Sequence, residues 1–297
     1  MKMGHSWFGI GLVVLGSLLL DACQTNPPPP WNLPPDVKAL RTNDYSMAYT
    51  DQGTGPVVVL VHGGIADYRW WEANRDSLAT RFRVVAVSLR HYYPEPWDGK
   101  GDFSAKGQAD DLIQFIEVLR TGPVLLVGHS RGGLVAADVA VRRPDLVRKL
   151  VLGEPTLSFA PLPTISDDTP AMRFQREVNA RFEKDGSEAG LAYWHELFGK
   201  GTWAGLPEDE RVRRRQNAWT ITRLSDLRVD CADLGKLKMP VLLIGGANSP
   251  PLFKTQLAAV QKCIPSAMQA TIPDAAHPMN RHNPAAFNDV VMKFLLE

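Results

Sequence analysis

The chain has almost no excess charge of either sign. Its 33 Lys and Arg stand against 32 Asp and Glu, a net charge of +1 over 297 residues. That balance gives no electrostatic footprint for a nucleic acid, so none is expected as a partner. The one local basic run, Arg211, Arg213, Arg214 and Arg215, reads as the solvated side of a helix. Cysteine is scarce, with three in the chain. Export would allow Cys231 and Cys263 to pair. Their separation in sequence says nothing about geometry, so the pairing stays open. There is no cluster of metal ligands, no phosphate-binding loop and no dinucleotide fingerprint, so no cofactor and no metal are expected. Internal repeats are also missing. The apolar segment from Trp7 to Leu20 is too short to span a bilayer well, and has the length of a signal-peptide core.

What is present is a globular pattern from about Val37 onward. Hydrophobic residues make up 44% of the chain, ordinary for a folded domain. Short apolar runs read as strands: Ser46–Thr50, Val57–Val61, Val84–Ser88, Val124–Val127, Lys149–Gly153, Val241–Gly245 and Met268–Ile272. Helix-like stretches separate them, at 69–80, 107–119, 134–142 and 285–296. Continuous Val, Leu and Ile runs alternating with helices imply a parallel sheet covered on both faces, an α/β architecture. Ligands of such sheets bind beyond the carboxyl ends of the strands. Between Glu154 and Met239 the rhythm changes to helical sequence alone, at 171–184, 187–198 and 207–222, rich in large aromatic side chains. That segment reads as a helical cap.

Residues Gly128-His129-Ser130-Arg131-Gly132-Gly133 follow one apolar run and open one helix. A G-x-S-x-G sequence between a strand and a helix is a nucleophile elbow. The glycines are required because a Cβ beside the strained serine backbone would clash. The following helix aims its positive N-terminal end at the place where an oxyanion would form.

With His62-Gly63-Gly64 after an earlier strand and His277 after the last one, the chain resembles an α/β-hydrolase from about residue 45 to 297. The resemblance implies a mostly parallel twisted sheet with helices on both faces and a helical cap. It implies a serine nucleophile, Ser130, which needs a base and a third group to orient that base. The base is His277, in the loop Ile272-Pro273-Asp274-Ala275-Ala276-His277-Pro278. Other histidines fit less well: His62 belongs to the oxyanion turn, His129 to the free position of the elbow, His195 to the cap, His282 to the last helix and His91 to a rim loop. In most members the acid follows the strand at Val241–Gly245. Here that turn reads Gly246-Ala247-Asn248-Ser249 and has no carboxylate. Some members, haloalkane dehalogenases among them, carry the acid one strand earlier, and Glu154 stands there. Asp274 is the rival carboxylate, read as ordering its own turn. The backbone N–H groups of Gly64 and Arg131 form the oxyanion hole. The Arg131 side chain meets an acidic substrate or makes a surface salt bridge. Aromatic residues of the loop Arg90 to Asp102 rim the same edge.

Leu20-Asp21-Ala22-Cys23 resembles a bacterial lipobox, from which Asp21 departs. Lys2 precedes the apolar core, and the proline-rich run from Gln24 to Pro35 follows as a stiff spacer. The division is therefore signal peptide 1–22, tether 23–36, core 37–156, cap 157–236 and core 237–297. Lipidation at Cys23 would make the chain an exported lipoprotein of the outer membrane facing the periplasm, with periplasmic or secreted forms as the alternative. The expected activity is hydrolysis of a carboxylic ester of a small molecule through an acyl-enzyme. The alternatives are lactone, amide or carbon–carbon hydrolysis or perhydrolysis on the same triad, and a catalytically dead tethered binding protein. A dehalogenase or epoxide hydrolase is disfavoured, because those put an aspartate where Ser130 stands.

Overall fold

The central apolar runs become strands buried on both sides, whereas Met268–Ile272 becomes an edge strand with mostly exposed side chains. The computed structural model describes residues 1, 29–42, 44–157, 168, 170–198, 201–223 and 229–297. Along the strand Val57–Val61, Val57, Val59 and Val61 enter one buried cluster while Val58 and Leu60 enter another on the opposite face. The same alternation holds for Val124 and Leu126 against Leu125 and Val127. A strand with two core faces has no polar side to show, which is why these runs are unbroken.

In chain order the elements begin β1 (Lys38–Thr42), β2 (Tyr45–Gln52), β3 (Val57–Val61), α1 (Glu72–Ala79), β4 (Arg83–Val87) and α2 (Ala105–Leu119). They continue with β5 (Val124–His129), α3 (Arg131–Arg142), β6 (Val147–Gly153), α4 (Pro170–Asp185), α5 (Ser187–Phe198) and α6 (Glu208–Gln216). The last are α7 (Cys231–Leu234), β7 (Val241–Gly246), α8 (Pro251–Cys263), β8 (Met268–Ile272), α9 (Met279–His282) and α10 (Pro284–Leu296). The sheet order is β1-β2-β4-β3-β5-β6-β7-β8. β1 and β2 are antiparallel, and from β4 to β8 every pairing is parallel. Parallel register brings the C-terminal ends of β3, β5, β6, β7 and β8 to one edge.

Two elements are not readable in the sequence pattern. β1 is an edge strand with charged Lys38 and Arg41, paired on one side only. α8 begins at Pro250-Pro251, where proline at the first turn forfeits no hydrogen bond. One expected helix is cut short. α6 stops at Gln216 and a tighter turn covers Ala218–Thr222, because Asn217 sends its side-chain amide to Asp67 Oδ2 (2.8 Å) and to the Arg213 carbonyl (3.1 Å).

The segment between β6 and β7 has its own small core. Val178, Leu191, Trp203, Ala218 and Ile221 pack together with Ile65, which belongs to the turn after β3. Cys231 and Cys263 form a disulfide, which ties α7 to the end of α8. The arginine run on α6 is not a solvated face. Arg214 is buried against Glu210, Arg213 reaches Glu72 on α1 at 2.5 Å, and Arg215 holds Glu188 and Glu208.

The signal segment 1–22 beyond Met1, Cys23 and the tether as far as residue 28 lie outside the described residues. The described end of the tether is not a free spacer, since Trp31 packs on the core beside Tyr45 and Leu33 packs on the opposite face. No helix among the described residues is long and apolar enough to cross a membrane.

Candidate active site

Ser130 sits at the tip between β5 and α3 with φ 53 and ψ −120. That is outside the backbone regions open to most L residues. Two absent side chains permit it. A Cβ on Gly132 would lie 2.3 Å from the His62 carbonyl oxygen, and one on Gly128 would lie 2.4 Å from the Gly132 oxygen. The turn is held by Ser130 N–H donating to Gly153 O (2.9 Å), and by the N–H groups of Gly133 and Thr156 donating to Ser130 O (2.9 and 3.2 Å).

Glu154 directly follows β6, with φ 40 and a buried side chain. Its Oε1 accepts from Gly246 N–H at 2.9 Å, so the turn after β7 contributes a backbone donor where it has no carboxylate. Its Oε2 lies 2.7 Å from His277 Nδ1. A carboxylate accepts, so Nδ1 carries the proton and Nε2 keeps a lone pair. Burial raises the Glu154 carboxyl above its ordinary range, opposed by the Ser249 hydroxyl and the Gly246 N–H. Burial pushes the His277 imidazole down to about 3, with His282 adding to the effect. The ring is therefore neutral at neutral pH, the form that accepts a proton.

The loop carrying His277 is pinned beside the elbow. His129 Nε2 lies 2.8 Å from the His277 carbonyl oxygen, and the two rings are 4.6 Å apart. His282 Nδ1 accepts from Ala276 N–H at 3.1 Å. Phe253 of α8 stacks on His277, and Trp70 stacks on His129. Asp274 is exposed at a left-handed turn position.

Gly64 follows β3 in a turn packed against the elbow, since a Cβ on Gly63 would lie 3.1 Å from Ser130 Cβ. A Cβ on Gly64 itself would meet nothing within 4 Å, so space opens there. His62 braces this turn. Its Nε2 accepts from Leu89 N–H at 3.1 Å, which leaves Nδ1 to donate to the Gly63 oxygen at 2.7 Å. Arg131 opens α3, where backbone N–H groups lack intrahelical acceptors. Its side chain does neither of the things expected of it. It is buried, with Nε on Gln108 Oε1 (2.9 Å), Nη2 on the Phe103 oxygen (2.6 Å) and the cation over the Phe103 ring. The rim-loop aromatics serve packing too: Tyr92 meets His62, and Trp97 lies between His91 and Phe103.

Sequence reasoning missed Phe253, Trp70 and a group of charged residues near the turn after β3. Phe253 and Trp70 had ordinary packing as their local signature, and only the fold brings them to the histidines.

Residues 58–290 match the profile of the alpha/beta hydrolase family. The chain belongs to the alpha/beta hydrolase family. Relatives within the alpha/beta hydrolases differ in what they act on. A 2-(acetamidomethylene)succinate hydrolase of Mesorhizobium japonicum is 26% identical over 82% of this chain and 90% of its own length. The sn-1-specific diacylglycerol lipase ABHD11 of Mus musculus is 25% identical over 82% of this chain and 81% of its own. Among solved structures, a thermophilic esterase from Thermogutta terrifontis, with malate bound, superposes with TM-score 0.69 at 26% identity, covering 87% of this chain and 97% of that one. This alpha/beta hydrolase thus spans between 81% and 97% of each of these three proteins.

Proposed function

We propose that the protein is a serine hydrolase that cleaves a carboxylic ester of a small molecule through Ser130, His277 and Glu154. Ser130 Oγ attacks the ester carbonyl and passes its proton to His277 Nε2. Glu154 holds the imidazole by Nδ1 and stabilises the cation that forms. The N–H groups of Gly64 and Arg131 receive the oxyanion, each such donor contributing about 3–4 kcal/mol to the transition state. The alcohol leaves with the proton from His277, and water repeats the sequence on the acyl-enzyme.

The observation that carries this reading is the buried 2.7 Å contact between His277 Nδ1 and Glu154 Oε2, in a loop fastened to the residue before Ser130. A fluorophosphonate should label the folded protein, and Ser130→Ala should abolish labelling. No labelling of folded protein overturns the reading in favour of a binding protein. A panel of p-nitrophenyl esters, lactones and anilides then separates ester cleavage from the other reactions the same residues support.

Export and lipid attachment at Cys23 belong to the same reading. The Cys231–Cys263 disulfide supports them, because such bonds persist in oxidising compartments. Cys23→Ala should release the protein from membranes, and retention of that variant would refute the anchor.

A further inference from the structure

Four guanidinium groups line one cavity next to the turn after β3. Arg69, Arg213, Arg214 and Arg281 line a small open cavity, together with Asp67 and Glu210. Ile65, Ala66 and Trp70 complete the wall. Ile65 and Ala66 directly follow Gly64, Trp70 stacks on His129 with ring centroids 5.3 Å apart, and Arg281 is four residues beyond His277. The cavity therefore adjoins the proposed catalytic edge.

The charges here are unevenly shared. Arg69 takes both oxygens of Asp67 (2.8 and 2.6 Å). Arg213 is held by Glu72, with Asp209 on the exposed rim at 4.0 Å. Arg214 and Arg281 must share Glu210, the first on Oε1 at 3.1 Å and the second on Oε2 at 2.8 Å. Arg213 thus has two carboxylates in reach, while Arg214 and Arg281 have one between them. The Arg214 and Glu210 side chains are only 10% and 11% exposed, while Arg281 is 31% exposed. Among the described residues Arg281 commits only Nη2 to a hydrogen bond, and its guanidinium lies over Trp70 at 5.2 Å. A half-buried cation that shares its counter-charge with a second, buried one is costly. Burial and the neighbouring Arg281 push Arg214 below its ordinary value, a sign of the same shortage. A carboxylate entering the mouth would supply the missing charge, and a guanidinium fork binds that group through paired hydrogen bonds.

We infer that this cavity is an anion subsite, filled by a free carboxylate on the substrate itself. The inference rests on the serine hydrolase reading and narrows it to esters that carry an acid group. The test compares 4-nitrophenyl monoesters of succinic, glutaric and adipic acid with neutral 4-nitrophenyl esters of the same chain length. At least one acid-bearing ester should exceed its neutral counterpart in kcat/KM by about tenfold, the scale of a charge-assisted hydrogen bond. Arg281→Gln and, separately, Arg213→Gln should collapse that ratio, and Arg281→Lys should restore part of it. A ratio that is absent in the natural protein, or that survives both glutamine variants, overturns the subsite.

Calorimetry makes this failure separable from failure of the hydrolase reading. Glutarate titrated into the full chain carrying Ser130→Ala should bind saturably, and more weakly once Arg281→Gln is added. Absence of fluorophosphonate labelling in the unaltered protein, with glutarate binding intact, would sink the hydrolase reading alone. Saturable glutarate binding without any preference among the esters would make the anion an effector and overturn its assignment to the substrate.

Discussion

Phe253 lies flat against the imidazole of His277, with ring centroids 3.7 Å apart and planes within 9° of parallel. The ring is thereby fixed on its face by α8, while Glu154 fixes it in its plane through Nδ1. Stacked aromatic pairs contribute about 0.5–1.5 kcal/mol beyond the area they bury. Phe253→Leu should therefore lower kcat by roughly 2- to 10-fold at nearly constant KM, and Phe253→Tyr should keep most of the activity. An unchanged kcat in the leucine variant would leave the stack a matter of packing alone.

The two carboxylates near His277 have opposite environments. Glu154 is buried on the imidazole, whereas Asp274 is exposed. Glu154→Gln should lower kcat by about 10³- to 10⁴-fold, less than Ser130→Ala or His277→Ala. Asp274→Asn should stay near the natural rate. The reverse order would transfer the acid's role to Asp274.

Three buried histidines tie stability to pH. Burial holds His62 at about 4, and His129 and His277 at about 3, against an ordinary value of 6.5. In the unfolded chain each takes up its proton near 6.5, so below that pH the unfolded state binds more protons than the native one. Stability is thus full above 6.5 and is lost as pH falls from 6.5 toward 3. The urea midpoint should drop between pH 7.5 and pH 5. Since His277 acts as a neutral base, the acid limb of kcat/KM for a neutral ester should fall below 6.5. A midpoint that does not move over that range would contradict the burial argument.

The elbow also makes a steric prediction. Gly132→Ala should destabilise the fold by about 3 kcal/mol, because a new methyl meets backbone that cannot yield. Gly64→Ala, at a position with open space, should melt like the natural protein. Equal melting temperatures for the two variants would contradict the packing described around Ser130.

The disulfide closes a loop of 32 residues in sequence separation. Replacing both Cys231 and Cys263 by serine should lower the unfolding free energy by about 3–4 kcal/mol. Urea unfolding in the presence and absence of reductant checks this on the unaltered chain.

What could be read from the sequence divides along physical lines. The central strands were legible because a sheet buried on both faces leaves uninterrupted apolar runs, as at Val57–Val61. The elbow was legible because its glycine requirement is local. The pairing of Glu154 with His277, 123 residues apart, followed from the resemblance to family members that carry the acid after this strand, and from strand ends sharing one edge. β1 escaped notice because an edge strand tolerates Lys38 and Arg41, and α8 because its pattern starts on two prolines and leaves Leu252 exposed. The arginine cavity had no local signature at all. Arg69, Arg214 and Arg281 come from three distant segments, and the sharing of Glu210 by two arginines is a property of the assembled wall.

Hosting the carboxylate at the end of β6 changes what the turn after β7 must conserve. Gly246 supplies an N–H and tolerates no side chain, since a Cβ there would lie 2.4 Å from the Ala275 oxygen. Ala247 and Asn248 have exposed side chains, and their N–H groups donate to the Ile272 and Ala275 oxygens (3.0 and 2.8 Å), tying the turn to the loop that carries His277. Evolution can recharge those two side chains at little risk to the proton relay, provided the backbone of the turn keeps its path. Descendants of this chain have an unclaimed stretch at the site's border on which new selectivity can be written.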